Sequence, residues 1–223
     1  MDTAASRVIS VQTGAIRTIA EGTKRAVTSG IAKLPVPHID IRRDGITDDQ
    51  IENPRHHGGE GQAVYLYARE DYEFWEDELD ATLEPGNFGE NVTIERWPDR
   101  TMRVGDRITF DTDTGQVELE LTGPRVPCQK FAARMHELLG PDAATGWVKR
   151  FTEARRPGFY ARVITPGRLG PDDHGHWTAA PSERIGTIEL WELYSAEQPD
   201  PAAVSRALDS PVDGRIRAAL ANL

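Results

Sequence analysis

Residues 106–121 read DRITFDTDTGQVELEL. Two short strand-forming runs, Asp106–Phe110 and Val117–Leu121, flank Thr114-Gly115, so the stretch predicts an antiparallel hairpin. Val92–Trp97 reads as a further strand ahead of it. Before that come Pro85–Asn91 (PGNFGEN), a glycine-punctuated loop, and Glu70–Leu79, a helix. Tyr72, Trp75 and Leu79 sit at i, i+3 and i+7 of this helix, and Glu70 and Asp71 suit its first turn. Ala63–Tyr67 (AVYLY) reads as a buried strand or as the entry to a helix. Asp48–Gln62 has no apolar period and predicts a loop of about 15 residues, long enough to suggest a functional role. Arg7–Gln12, Ile16–Ile19, Ala26–Leu34 (broken at Gly30) and His38–Ile41 read as short strands.

Past the hairpin, Gly123–Cys128 (GPRVPC) is extended, because each proline biases the residue before it away from helix. Phe131–Leu139 and Ala144–Ala154 predict helices, and Gly158–Pro166 and Glu183–Leu193 predict strands. From Ala196 a polar linker leads to two short helices, Pro201–Leu208 and Pro211–Leu223, each opening on proline. Many short strands, few helices and no alternation of strand and helix predict a mainly β fold. We expect a barrel or folded sheet with helices at its rim. The predicted organisation is a β-barrel domain over 1–195 and a small helical appendage over 196–223.

A chain of 223 residues buries a core without staples. Its 26 basic and 36 acidic residues leave a net charge of −10, which disfavours nonspecific binding to nucleic acid or anionic membrane. A local basic pocket for a small anion remains compatible with that charge. No apolar run approaches the roughly 18 residues of a membrane span. Met1–Ala5 lacks the layout of a signal peptide. The single cysteine excludes an internal disulfide, and a cytoplasmic location is expected.

Cys128 lies in PRVPCQK, between Arg125 and Lys130 and just before a helix, where positive potential favours thiolate. A buried structural cysteine is the plain alternative. His56-His57-Gly58-Gly59 offers backbone N–H groups to an anion, or is a surface turn. In Asn87–Asn91, Phe88 is a candidate to stack on a flat ring and Asn91 a candidate to read a polar edge. Lys33 and Arg162 are cations within apolar strands; each must snorkel, pair with an acid or face an anionic ligand. His174 and His176 read as solvated loop. No phosphate loop, dinucleotide fingerprint, serine elbow or zinc spacing is present.

Together these segments resemble the MOSC family, the domain named for the C-terminal part of molybdenum cofactor sulfurase, most closely its bacterial stand-alone YiiM-type branch. Seven pieces run in family order: Val8–Gly14, Ser29–Val36, His57-Gly58-Gly59 with Ala63–Tyr67, Pro85–Asn91, Val104–Arg107, Pro124–Lys130 and Gly158–Val163. Two departures stand out. Asp48–His56 lacks the family's common Gly-Asp pair, and Gly167–Pro181 is longer and richer in His and Asp.

The resemblance implies a β-barrel-like fold that binds the molybdenum cofactor, with Cys128 as catalytic residue and molybdenum ligand. It further implies reduction of small N-hydroxylated compounds, hydroxylaminopurines among them, with electrons from a separate reductase. Lys33, Arg125, Arg162 and the His57-Gly58-Gly59 turn would meet the cofactor's phosphate and pterin, as would Phe88 and Asn91. A second reading is a non-catalytic cofactor or sulfur carrier using Cys128. A third is a cofactor-free β domain that assembles through its C-terminal helices. Homodimerisation is left open.

Overall fold

The computed structural model describes residues 5–98, 101–193 and 196–221. The hairpin that opens the sequence reading is present as β9 (Arg107–Thr112) and β10 (Gly115–Pro124), paired antiparallel with Val117 opposite Phe110 and Leu119 opposite Ile108. Around it a sheet runs β13 (His174–Thr178), β9, β10, β11 (Phe159–Thr165), β7 (Val64–Ala68), β8 (Val92–Glu95), β1 (Ser6–Gly14). Pairing of β13 with β1 closes these seven strands into a barrel. Closure matters physically because it leaves no open edge among the seven. β4 (Lys33–Val36) adds to β1 outside the ring. Two small sheets complete the β structure: β2 (Arg17–Ile19) with β3 (Val27–Ser29), and β12 (Gly167–Leu169) with β5 (Ile39–Arg42) and β6 (Gly45–Ile46).

β7 decides where the helices go. Its five residues are all buried, so both of its faces are covered. Val64 and Leu66 point into the barrel core with Val8, Ile94 and Phe110, whereas Tyr65 and Tyr67 point outward into an aromatic cluster. That cluster is capped by α1 (Arg69–Leu79), α2 (Gln129–Ala143, kinked at Gly140-Pro141) and α3 (Trp147–Ala154). Tyr72 and Trp75 of α1 are buried there, at the spacing that predicted the helix.

Three expectations need correction. β7, α1 and β8 form one strand–helix–strand crossover with parallel strands, although the sequence shows no alternating series. A parallel neighbour needs such a long connection. Glu183–Leu193 is not a strand: Thr187–Leu193 is helix α4. Its apolar residues fit either period, and burial of Leu190 and Leu193 on one cluster and Trp191 on another selects the helix. The expected loop around His174 and His176 is β13, whose two histidines face solvent. Between them Gly175 faces the barrel, where a Cβ would sit 2.7 Å from Ile108 Cδ1 and 2.9 Å from Phe110 Cδ1. The strand that closes the barrel therefore needs a glycine where a core residue would have betrayed it.

Two helices stand in the C-terminal region where two were expected, α5 (Pro201–Asp209) and α6 (Gly214–Leu220). Ala203, Ala207, Ile216 and Leu220 pack with Val104, Ile185 and Leu190 of the main body. The expected boundary falls on residues 194–195, which lie outside the described residues, as do residues 1–4 of the N-terminal reading and 222–223 of the last helix. Among the described residues no helix is long and apolar enough to cross a membrane.

Candidate functional site

A cavity of about 290 Å³ opens where β4, the start of α2 and the 47–63 connection meet one end of the barrel. Cys128 lines it, half-buried, at the residue that precedes α2, in an extended conformation. Lys33, His57, Gly58, Asn91 and Arg125 line it too. Six of the nine residues singled out in the sequence thus converge, from four separate segments.

Arg125 is buried, yet among the described residues no carboxylate pairs with it. Its guanidinium donates to the carbonyl of Phe88 and lies 4.3 Å from the Phe131 ring centre and 5.0 Å from that of Tyr65. Ring faces steady the charge without neutralising it, which leaves it available to an anion. Lys33 is different. It is paired with Asp49, whose carboxylate also accepts from the Gly14 N–H at 2.8 Å and from Asn91 Nδ2 at 2.9 Å. Burial lowers the Lys33 ammonium's affinity for its proton, and Asp49 opposes that loss. Lys130, beside Cys128, pairs with Glu52.

The 53–59 loop turns on two glycines with positive φ, Gly58 at 72° and Gly59 at 80°. The dihedral requires glycine at Gly58, and a Cβ there would also push aside the Ile51 side chain, whose Cδ1 it would meet at 2.3 Å. The His57 imidazole is held down to about 4, first by burial and then by the positive charges of Arg125, Lys130 and Arg215. It is neutral at pH 7 and serves as a neutral donor or acceptor. Between about 6.5 and 4 the unfolded chain takes up a proton here that the native chain refuses, so stability falls as pH falls through that window. The urea midpoint is expected to drop between pH 7 and 4.5 in wild type and to drop less in His57→Gln. Equal drops would place His57 in open solvent.

Three candidates stand elsewhere. Phe88 is fully buried among Tyr67, Tyr72, Trp147 and Phe131, so its ring cannot stack on a ligand. Its carbonyl is what matters, as the acceptor for Arg125. Arg162 lies on β11 opposite Glu120 and pairs with that carboxylate at 2.5 Å, away from the cavity. This is the acid-paired outcome that a strand cation permits. Gly59 is exposed beside the cavity rather than in its wall. Asn91 does line the cavity, but its amide staples strands: Oδ1 accepts from the Tyr65 N–H at 3.1 Å, and Nδ2 donates to Asp49.

Sequence reading missed Asp49, Thr47 and Gln62. The signal for Asp49 was Lys33 itself, since a strand-borne cation asks for an acid. Thr47 and Gln62 line the cavity, and their Oγ1 and Oε1 are buried without a hydrogen-bond partner among the described residues. Nothing local in the sequence marks them.

A model of the MOSC domain matches residues 53–174, more than half of the chain. The chain belongs to the MOSC domain family. It is 29% identical over 167 residues to the uncharacterized protein YflK of Bacillus subtilis, covering 74% of this chain and 69% of that one. It is 26% identical over 173 residues to protein YiiM of Escherichia coli, covering 74% and 68%. The crystal structure of YiiM from Geobacillus stearothermophilus superposes with a TM-score of 0.75 at 23% identity, over 97% of this chain and 98% of that one, so the fold is shared along nearly the whole length. MOSC membership and the likeness to YiiM support a function associated with the molybdenum cofactor.

The residues present fit that cofactor. Its metal arrives with dithiolene sulfurs of its own and asks the protein for one soft ligand, which the single half-buried thiol of Cys128 matches. Its phosphate asks for a cation, and Arg125, buried without a carboxylate partner among the described residues, would supply one. Its pterin asks for polar partners, and two residues lining the cavity carry buried oxygens without a partner among the described residues.

Proposed function

We propose that this protein is a molybdenum-cofactor oxidoreductase that reduces small N-hydroxylated compounds, hydroxylaminopurines or amidoximes, with electrons from a separate reductase. The carrying observation is the buried guanidinium of Arg125, held by rings instead of acids, in the cavity that Cys128 lines. When bound, the cofactor supplies a metal that passes electrons to an N–OH group. The chain's own residues bind and orient. Cys128 is the metal ligand. Arg125 holds an anionic group, with its direction fixed by the Phe88 carbonyl. Neutral His57 and the Gly58 backbone form the facing wall without adding charge. Lys33, already paired with Asp49, contributes shape and a donor more than net charge.

The test is molybdenum and released pterin per mole of protein purified from a cofactor-producing host. Near-stoichiometric metal and pterin, with turnover of a hydroxylaminopurine by a chemical electron donor, are expected. Absence of both, in a host that loads another family member, rejects the proposal. Pterin without turnover of any N-hydroxylated compound, or persulfide on Cys128 without pterin, moves the assignment to a carrier.

A further inference from the structure

Asp213 and Arg215 reach the candidate site from the C-terminal tail. Asp213 is anchored to the barrel, its N–H donating to the Thr122 carbonyl at 3.1 Å. Its carboxylate accepts from the Arg215 N–H at 3.0 Å and from Gln62 Nε2 at 3.4 Å. A carboxylate only accepts, so the amide nitrogen of Gln62 faces Asp213 and the amide oxygen faces away. That oxygen is the buried, unpartnered Oε1 of a residue lining the cavity.

Arg215 grips the wall beside it. Its guanidinium donates to four main-chain carbonyls of one loop: Nε to Arg55 at 3.1 Å, Nη1 to Gly58 at 3.0 Å, and Nη2 to Pro54 at 3.1 Å and His57 at 3.4 Å. A loop ending in two glycines has much conformational freedom to lose. A planar fork with fixed donors holds it as a point charge on a flexible stem would not.

We propose that Asp213 and Arg215 are positioning residues of the candidate site. Arg215 fixes the His57–Gly58 wall, and Asp213 aims the Gln62 oxygen at an N–H donor of a bound planar nitrogen heterocycle. The identity of that heterocycle as the pterin rests on the function proposed above. The clamp on the loop does not, because it is read without any ligand.

The experiment compares full-length wild type, Arg215→Ala, Arg215→Lys and Gln62→Leu, all from a cofactor-producing host. Amide hydrogen exchange reports the loop, and molybdenum and pterin retained after gel filtration report the site. Arg215→Ala is expected to speed exchange at residues 55–59 by about tenfold while the barrel strands stay protected. Cofactor affinity should fall by about tenfold, the usual consequence of losing a residue that orients a binding group. Arg215→Lys should rescue little. Gln62→Leu should lose affinity by a similar factor with exchange at 55–59 unchanged. Unchanged loop exchange in Arg215→Ala overturns the clamp. So does acceleration spread over the whole barrel. Local acceleration with wild-type retention keeps the clamp and overturns the role of Arg215 in positioning the site. Full retention in Gln62→Leu overturns the acceptor role. Local acceleration in a protein whose wild type holds no pterin leaves the clamp standing and rejects the cofactor instead.

Discussion

Asp49→Ala is expected to destabilise the fold by about 3 kcal/mol, the lower end of the range for breaking a buried ion pair. Asp49 ties three strands at the cavity rim. It accepts from Gly14 at the end of β1, pairs with Lys33 on β4, and accepts from Asn91 at the start of β8. Alanine leaves a buried ammonium without its partner, takes the acceptor from the Gly14 N–H, and leaves Asn91 Nδ2 only the Gln12 carbonyl at 3.4 Å. The lower end applies because Lys33 lines a cavity that admits water. For a chain of this length the loss is roughly 10 °C in Tm. Removing the stranded charge as well, in Lys33→Met with Asp49→Ala, should recover part of it, a coupling read by a double-mutant cycle in urea. Additive effects, or a loss below about 1 kcal/mol, would show that Lys33 is solvated and that Asp49 serves only its backbone partner.

The pair also shows how far the sequence could be read. A lysine between Ala32 and Leu34 on a strand has three resolutions, and the chain around Lys33 does not choose among them. Asp48 and Asp49 stand next to one another, and only the fold shows which turns inward: Asp48 takes a positive φ of 65°, and Asp49 meets Gly14, Lys33 and Asn91. Arg162 posed the same question and received the same kind of answer, an acid, from its cross-strand partner Glu120. Local sequence poses the problem of a buried charge, and register solves it.

The aromatic and histidine motifs divide along the same line. Phe88 looked like a stacking platform because a loop phenylalanine between glycines has no apolar period to claim it. Its burial follows from helices α1, α2 and α3, which meet over it from sequence 10 to 60 residues away. His57-Gly58 was legible because positive φ demands glycine locally. Its anchor, Arg215, was not, because a tail arginine looks like any helix-surface charge until it is found against four carbonyls. In the barrel, β9 and β10 were plain because hairpin turns are local. β13 was hidden because a glycine, flanked by two histidines, holds its fully buried inward position.

Cys128→Ser is expected to lose more than about 100-fold in turnover of a hydroxylaminopurine, at least about 2.7 kcal/mol of transition-state stabilisation, while the fold stays intact. The two halves of this result have separate physical causes. Cys128 occupies the cap position before α2 with extended φ and ψ of −132° and 173°, and its side chain caps nothing. Serine accepts the N–H groups of a first helical turn far better than a thiol does, so stability should hold or rise by up to about 1 kcal/mol. The chemistry moves the other way. A serine hydroxyl is a hard ligand where a soft one is needed. A structural cysteine would lose stability and activity together; a metal ligand loses activity alone. The measurements are Tm, molybdenum content and turnover on the same preparation. Turnover within twofold of wild type, in a variant fully loaded with metal, would end the assignment of Cys128 as the ligand.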